Sequence, residues 1–149
     1  MQVIDRCNPL VISATPQTGI AEAARLMRDY HVGCLPIVDD SVNPGVVVGM
    51  LTDRDMVVEA LAQDVPLNEL QVADIMSGDP ETANEYDDCW ETVQRMFERG
   101  IRRMPVLDSN GRLVGIFALD DALQLLSETL NRLSGVPYRE MSQEEHSRR

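Results

Sequence analysis

The stretch GMLTDRD, residues 49–55, follows a valine run at 46–48 with a glycine. Three residues further on, from Thr52, it sets a hydroxyl, an arginine and two carboxylates in four consecutive positions. A second occurrence shows that the combination is not incidental. Laid over VGCLPIVDDSVNPGVVVGMLTDRDMV, the segment IRRMPVLDSNGRLVGIFALDDAL aligns Pro36 with Pro105, 69 positions apart, and Gly49 with Gly115, 66 apart. The chain is an internal duplication. The change of three falls in the turn, DDSVNPG in the first copy and DSNG in the second, where insertions are absorbed easily.

The lag of 69 continues backwards, pairing Ile20 with Cys89, Ala24 with Val93, Met27 with Met96 and His31 with Gly100. Ile20, Ala23, Ala24 and Met27 recur at helical spacing, and Thr18 and Asp87 are suited to capping, so a helix is expected here in each copy. Gly100 follows the last periodic residues of its helix, where a left-handed terminator is wanted. His31 holds the matching place and reads as a terminator as well, with a general base as the alternative. His146 lies in the polar tail REMSQEEHSRR, which is expected to be disordered.

Each copy then reads as a helix, a strand (CLPIV, RMPVL), a tight turn, a second strand (VVVGML, LVGIFA) and a second helix (RDMVVEALA, DDALQLLSETL). A leading extended segment, LVIS or ETAN, precedes the first helix. So small a unit is poorly placed to build its own core, and two copies stacked sheet against sheet would bury what one cannot. The expected division is a first repeat at 1–62, a linker at 63–72, a second repeat at 73–128 with VADIMSGDP as its lead-in, and a C-terminal extension at 129–149. The last helix is expected to reach about Leu133 and leave a mobile tail.

Composition narrows the function. With 149 residues, 44% of them hydrophobic, the chain can supply a core. No stretch approaches the ~20 apolar residues of a membrane span, and the amino terminus lacks a signal-peptide pattern, so a cytoplasmic location is expected. Cys7, Cys34 and Cys89 show no CxxC spacing and read as small buried hydrophobes. A formal charge of −12 opposes binding to nucleic acid or to a membrane surface. Two histidines without useful spacing, cysteines without a neighbouring base and the lack of a Walker-type glycine loop argue against an enzyme.

The ordered set DIMSGDPETA, GIRRMPVLD, LVGIF and GMLTDRDMV, with the glycine-ended strand followed by Thr-x-x-Asp and a helix, closely resembles the cystathionine β-synthase (CBS) domain, which occurs in tandem pairs. The resemblance runs from about Pro9 to Leu126. It implies an α/β (α+β) fold of two βαββα-type repeats related by a pseudo-twofold axis, sheets packed together with helices outside, and a cleft between the repeats. It also implies a homodimer and a regulatory role in which AMP, ADP, ATP, S-adenosylmethionine or NAD is bound without being turned over.

On that resemblance Thr52 offers a hydroxyl to a phosphate oxygen, and Asp55, about one helical turn further, accepts hydrogen bonds from ribose hydroxyls. Arg54 is a candidate phosphate partner and Asp53 a helix cap or a holder of Arg54. As cleft residues, Thr52 and Asp55 should be replaceable without harm to folding. The alternative for TDRD is a capped helix start with a solvated charge cluster. Val32, Leu35 and Pro36, with Thr15 in the preceding SATP, are candidate adenine contacts, as are Met104 and Pro105 in the second copy; their alternative is ordinary core.

The second copy departs from the motif. Ala118, Leu119 and Asp120 replace Thr52, Asp53 and Arg54, while Asp121 keeps the place of Asp55. A site there would be weaker, empty or selective for a less charged ligand. Arg102 and Arg103 replace Gly33 and Cys34 and either reach the phosphates of a ligand at Thr52 or pair with nearby acids. The expected function is a stand-alone sensor of an adenine nucleotide, with magnesium as a companion, acting on a separate protein or through its own dimer. The rivals are a dimerisation module with a vestigial site and a divalent-cation sensor, although no run has the spacing of a calcium loop.

Overall fold

In the computed structural model, which describes residues 1–148, the two copies build closely similar units. Helix α1 (Ile20–Tyr30) buries Ile20, Ala23 and Met27 on one face, and its counterpart α4 (Cys89–Arg99) buries Cys89, Thr92 and Met96. Both end in a left-handed residue: His31 (φ 54°) donates its N–H to the Met27 carbonyl, and Gly100 (φ 64°) donates to the carbonyls of Met96 and Phe97. The N-terminal boundaries fall one residue later than the sequence suggested. Gly19 and Asp88, not Thr18 and Asp87, precede the helices. The Asp87 carboxylate is already engaged by Arg95 at 3.2 Å and by the Asn84 N–H at 3.0 Å, so Asp88 takes the N–H groups of Trp90 and Glu91. These bonds hold its carboxyl below the usual range, the Glu91 N–H contributing most.

Strand β1 (Cys34–Val38) pairs antiparallel with β2 (Val47–Thr52), joining Cys34 to Thr52 and Ile37 to Gly49. Helix α2 (Asp53–Asp55) continues from β2 into a wider turn over Met56–Leu61 that buries Ala60. The short helix α3 (Val72–Ile75) leads to β3 (Ser77–Gly78), which adds to β2. In the second sheet β4 (Ala83–Asn84) lies parallel to β5 (Arg103–Leu107), and β5 is antiparallel to β6 (Leu113–Ala118). The longer first turn is held by Asp40 accepting from the Gly45 N–H at 2.7 Å, the shorter by Asp108 accepting from Asn110 and Arg112. Of the two leading segments only part is sheet: LVIS is unpaired and only Ala14 bridges Ile37, the counterpart of Ala83 bridging Val106.

The glycine of the opening motif is explained by what crosses it. A Cβ at Gly49 would lie 2.6 Å from the Met76 sulfur and 2.9 Å from the Ser77 carbonyl oxygen; one at Gly115 would lie 2.6 Å from the Cys7 sulfur and 3.0 Å from the Asn8 oxygen. Each lead-in therefore packs on the other repeat's sheet. Val3 and Cys7 join the buried cluster of Met96, Met104, Val106, Phe117 and Leu125, and Arg6 pairs with Glu128 at 2.7 Å. Val72, with Ile75 and Met76, joins Ile20, Ala23, Met27, Leu35, Ile37 and Leu51. Division by packing thus differs from division by chain order, because 72–78 cover the first sheet and 3–8 the second.

The last helix, α5 (Leu119–Ser147), does not stop near Leu133. It passes through Gly135 and Pro137, losing one backbone hydrogen bond at the proline. His146, expected in a disordered tail, sits in the final turn with Nδ1 3.3 Å from the Ser142 carbonyl oxygen.

Candidate functional site

Each strand-to-helix junction opens onto the beginning of a strand of the other repeat. Thr52, Asp53 and Arg54 face Gly100, Ile101, Arg102 and Arg103 across a cleft of about 630 Å³, closed by Ser77, Pro80 and Glu81. That volume lies within the range of small-molecule sites. A second, smaller cleft of about 280 Å³ reverses the roles: Ala118, Asp120 and Asp121 face His31, Val32, Gly33 and Cys34, with Leu10, Val11 and Ile12 beside them. The junctions are fixed by equivalent backbone bonds, from the Asp53 N–H to the Gly33 carbonyl at 3.0 Å and from the Leu119 N–H to the Arg102 carbonyl at 2.8 Å.

Thr52 and Asp55 first of all cap the helix. The Asp55 N–H donates to Thr52 Oγ1 at 3.1 Å and the Thr52 N–H donates to Asp55 Oδ2 at 2.9 Å. The Thr52 hydroxyl proton is left as a donor toward the cleft. The expectation that this pair is replaceable without harm to folding is corrected accordingly, because removing both breaks a reciprocal cap. Asp55 itself is not among the residues that line the cleft. In the second junction only half of the box survives: Asp121 accepts from the Ala118 N–H at 2.8 Å, and Ala118 has no oxygen to return it.

The large cleft is cationic. Among the described residues none of Arg54, Arg102 and Arg103 pairs with a carboxylate, whereas Glu81 is engaged by Arg99 at 3.4 Å and Asp53 accepts from the Arg54 N–H at 2.8 Å. Arg102 and Arg103 thus face the Thr52 cleft instead of pairing with acids. Arg103 also lines the small cleft, standing beside Gly33 and Cys34. Burial pushes the Cys34 thiol up, opposed by Arg103 and reinforced by Asp53. Burial likewise raises the Asp121 carboxyl, with Asp120 adding to it and the Ala118 N–H opposing.

Several candidate contacts lie elsewhere. Leu35, Pro36, Met104 and Pro105 are fully buried and line neither cleft, because β1 and β5 are covered on both faces and only their leading ends reach the opening. Val32 belongs to the small cleft; its counterpart Ile101 serves the large one. Thr15 is exposed and bonded to Thr18, its N–H donating to Thr18 Oγ1 at 3.0 Å. Ser77, Pro80, Glu81 and Ile101 were not anticipated. The available signal was Gly49, whose close approach requires the 76–77 segment to cross β2 and so brings the following residues to the cleft.

Comparison with known proteins agrees with this architecture. The CBS domain model matches residues 4–61 and 72–128. A CBS domain-containing protein of Bacillus subtilis is 37% identical over 123 residues, covering 80% of this chain and 81% of its own. An uncharacterised protein of Methanopyrus kandleri is 36% identical over 115 residues, 77% of this chain, which spans 57% of that protein's length. Among solved structures, the CBS domain pair of protein MJ0100 in complex with 5′-methylthioadenosine and S-adenosyl-L-methionine superposes with a TM-score of 0.76 at 29% identity, over 87% of this chain and 98% of that one. The two matched repeats, their exchanged lead-ins and the paired clefts place this chain in the CBS domain family, as a tandem pair.

Proposed function

We propose that this chain is a regulatory module that binds an adenosine-containing nucleotide, AMP, ADP or ATP, in the Thr52 cleft and signals to a separate protein. The observation that carries the reading is the set of guanidinium groups, Arg54, Arg102 and Arg103, that among the described residues pair with no carboxylate and surround the Thr52 hydroxyl in a cleft built from both repeats. Guanidinium forks suit phosphate oxygens, and a ligand held by both halves favours one relative arrangement of them. The adenosine compounds bound by the MJ0100 pair support the nucleoside part of the reading. The module acts by binding, not turnover, and passes its state on through a change of repeat angle or of packing in a homodimer.

A second reading, a dimerisation module with a vestigial site, is favoured by one observation: Thr52 and Asp55 are already satisfied by each other. A thermal-shift panel on chelator-treated protein with AMP, ADP, ATP, NAD, S-adenosylmethionine, GTP and magnesium alone separates the two. A ligand at 100 times its Kd stabilises the native state by about 2.7 kcal/mol. The nucleotide reading expects a concentration-dependent rise with one adenine ligand, lost in the Arg54→Ala, Arg102→Ala variant, whose cap is intact. A flat panel to millimolar concentration selects the second reading.

A further inference from the structure

The helices that leave the two junctions keep different counts. Reckoned from Ala118, α5 buries its fourth and seventh residues, Ala122 and Leu125, and leaves the eighth, Leu126, exposed. Reckoned from Thr52, the first repeat packs its fourth residue, Met56, against the core but buries the eighth, Ala60, while the seventh, Glu59, is exposed. The first repeat therefore carries one residue of slack. Its hydrogen bonds show where the slack is stored. The Met56 N–H donates to the Asp53 carbonyl, three residues back, whereas the N–H groups of Ala62 and Val65 reach five back, to the carbonyls of Val57 at 2.8 Å and Ala60 at 3.3 Å. A tight turn is followed by a wide one, an irregularity that recurs at functional sites. A regular helix would instead turn the Glu59 carboxylate toward the core in the place of Leu125, at a desolvation cost that the wide turn avoids.

Of the two junctions, the slack follows the one whose cap is complete. Thr52 and Asp55 are bonded to each other and Asp55 does not line the large cleft, so a ligand that uses this carboxylate must draw it off the Thr52 N–H. In the second repeat the half-cap of Asp121 leads into a regular helix.

We propose that this slack is a movable register. When a nucleotide enters the large cleft the tight turn opens, the wide turn closes to a regular one, and Asp55 swings from the cap to the ligand while Ala60 keeps its place in the core. Met56, Val57 and Val58, which lie between them, rotate with the change. Val57 and Val58 are exposed, as is Leu61 in the same stretch, so occupancy of the cleft alters an outer surface. The ligand drives the shift because it gains contacts only in the register where Asp55 faces it. The proposal rests on the nucleotide reading of the Thr52 cleft and supplies its means of regulation.

Two measurements on the full chain test it, with AMP, ADP and ATP offered in turn. Amide exchange followed by NMR is expected to show the Asp55 N–H, bonded to Thr52 Oγ1 in the cap, exchanging faster with nucleotide bound than without. A ligand that fills a rigid site would slow it. Deletion of Glu59 gives the first repeat the count of the second; the variant is expected to unfold at or above the wild-type temperature and to bind nucleotide on the order of tenfold more weakly, the equivalent of one cap bond that can no longer be exchanged for a ligand. Exchange at Asp55 that slows or stays unchanged on binding, or a folded deletion variant with wild-type affinity, overturns this inference and leaves the nucleotide reading standing. If the deletion variant does not fold, the exchange result alone decides. Absence of binding by all three nucleotides overturns the nucleotide reading itself and this proposal with it.

Discussion

His31 and Gly100 close equivalent helices in the same left-handed conformation, but only one of them is a glycine. A side chain in that region is strained, whereas glycine adopts it freely. His31→Gly is therefore expected to stabilise the fold by about 0.5–1 kcal/mol, net of the extra freedom glycine gives the unfolded chain. Urea denaturation would show it as a higher midpoint at unchanged slope; a lower midpoint would mean that the imidazole makes a contact worth more than the strain. This position was legible from the 69-residue lag alone. The double use of TDRD was legible only in part: a threonine and an aspartate three apart suit both a capping box and a nucleotide, and sequence does not say that the cap is made. Thr15, Leu35 and Pro36 lie outside the lining of both clefts, and sequence could not tell this because an apolar strand end looks the same whether it lines a cleft or a core.

At the scale of elements, α5 carries an exposed row at Leu119, Leu123, Leu126, Leu130 and Leu133, spaced alternately by four and three, while Ala122 and Leu125 face the core. Apart from Asp120 at its start, the flanking positions Ser127, Thr129 and Ser134 bear no charge, so a second copy of a chain with net charge −12 can approach the row beyond Leu123 with little repulsion. On the homodimer proposed above, Leu126→Glu with Leu130→Glu is expected to convert a dimer to a monomer in sedimentation velocity without changing the far-ultraviolet spectrum, since both side chains are exposed. A dimer that persists would place the interface on another face. The existence of α1, α4, β1, β2, β5 and β6 followed from periodicity. The length of α5 did not, because Gly135 and Pro137 are local stop signals that this helix overrides.

At the scale of the whole molecule, the exchange of lead-ins ties the repeats together. Deleting residues 1–8 removes the fully buried Val3 and the buried Cys7 from the second core, at a cost of roughly 1.5–3 kcal/mol for a side chain such as Val3 alone. Hydrogen exchange on that deletion variant is expected to lose protection first in α4, β5 and β6, some 80 or more residues away in the chain. Protection lost first in β1 and β2 would contradict the packing. Duplication and fold class were legible from two aligned motifs, but the exchange was not, since a repeat in sequence carries no mark of which copy covers which. Only the glycines hinted at it.

The exchange also bears on independence. Either repeat alone would keep a sheet whose glycine groove is uncovered, so neither half is complete in its own right and the smallest whole body is the pair. The glycines and lead-ins that make this mutual closure are alike in both halves, whereas the junction residues are not: Thr52 and Arg54 stand against Ala118 and Asp120. The framework is held in common, and the two openings it carries differ.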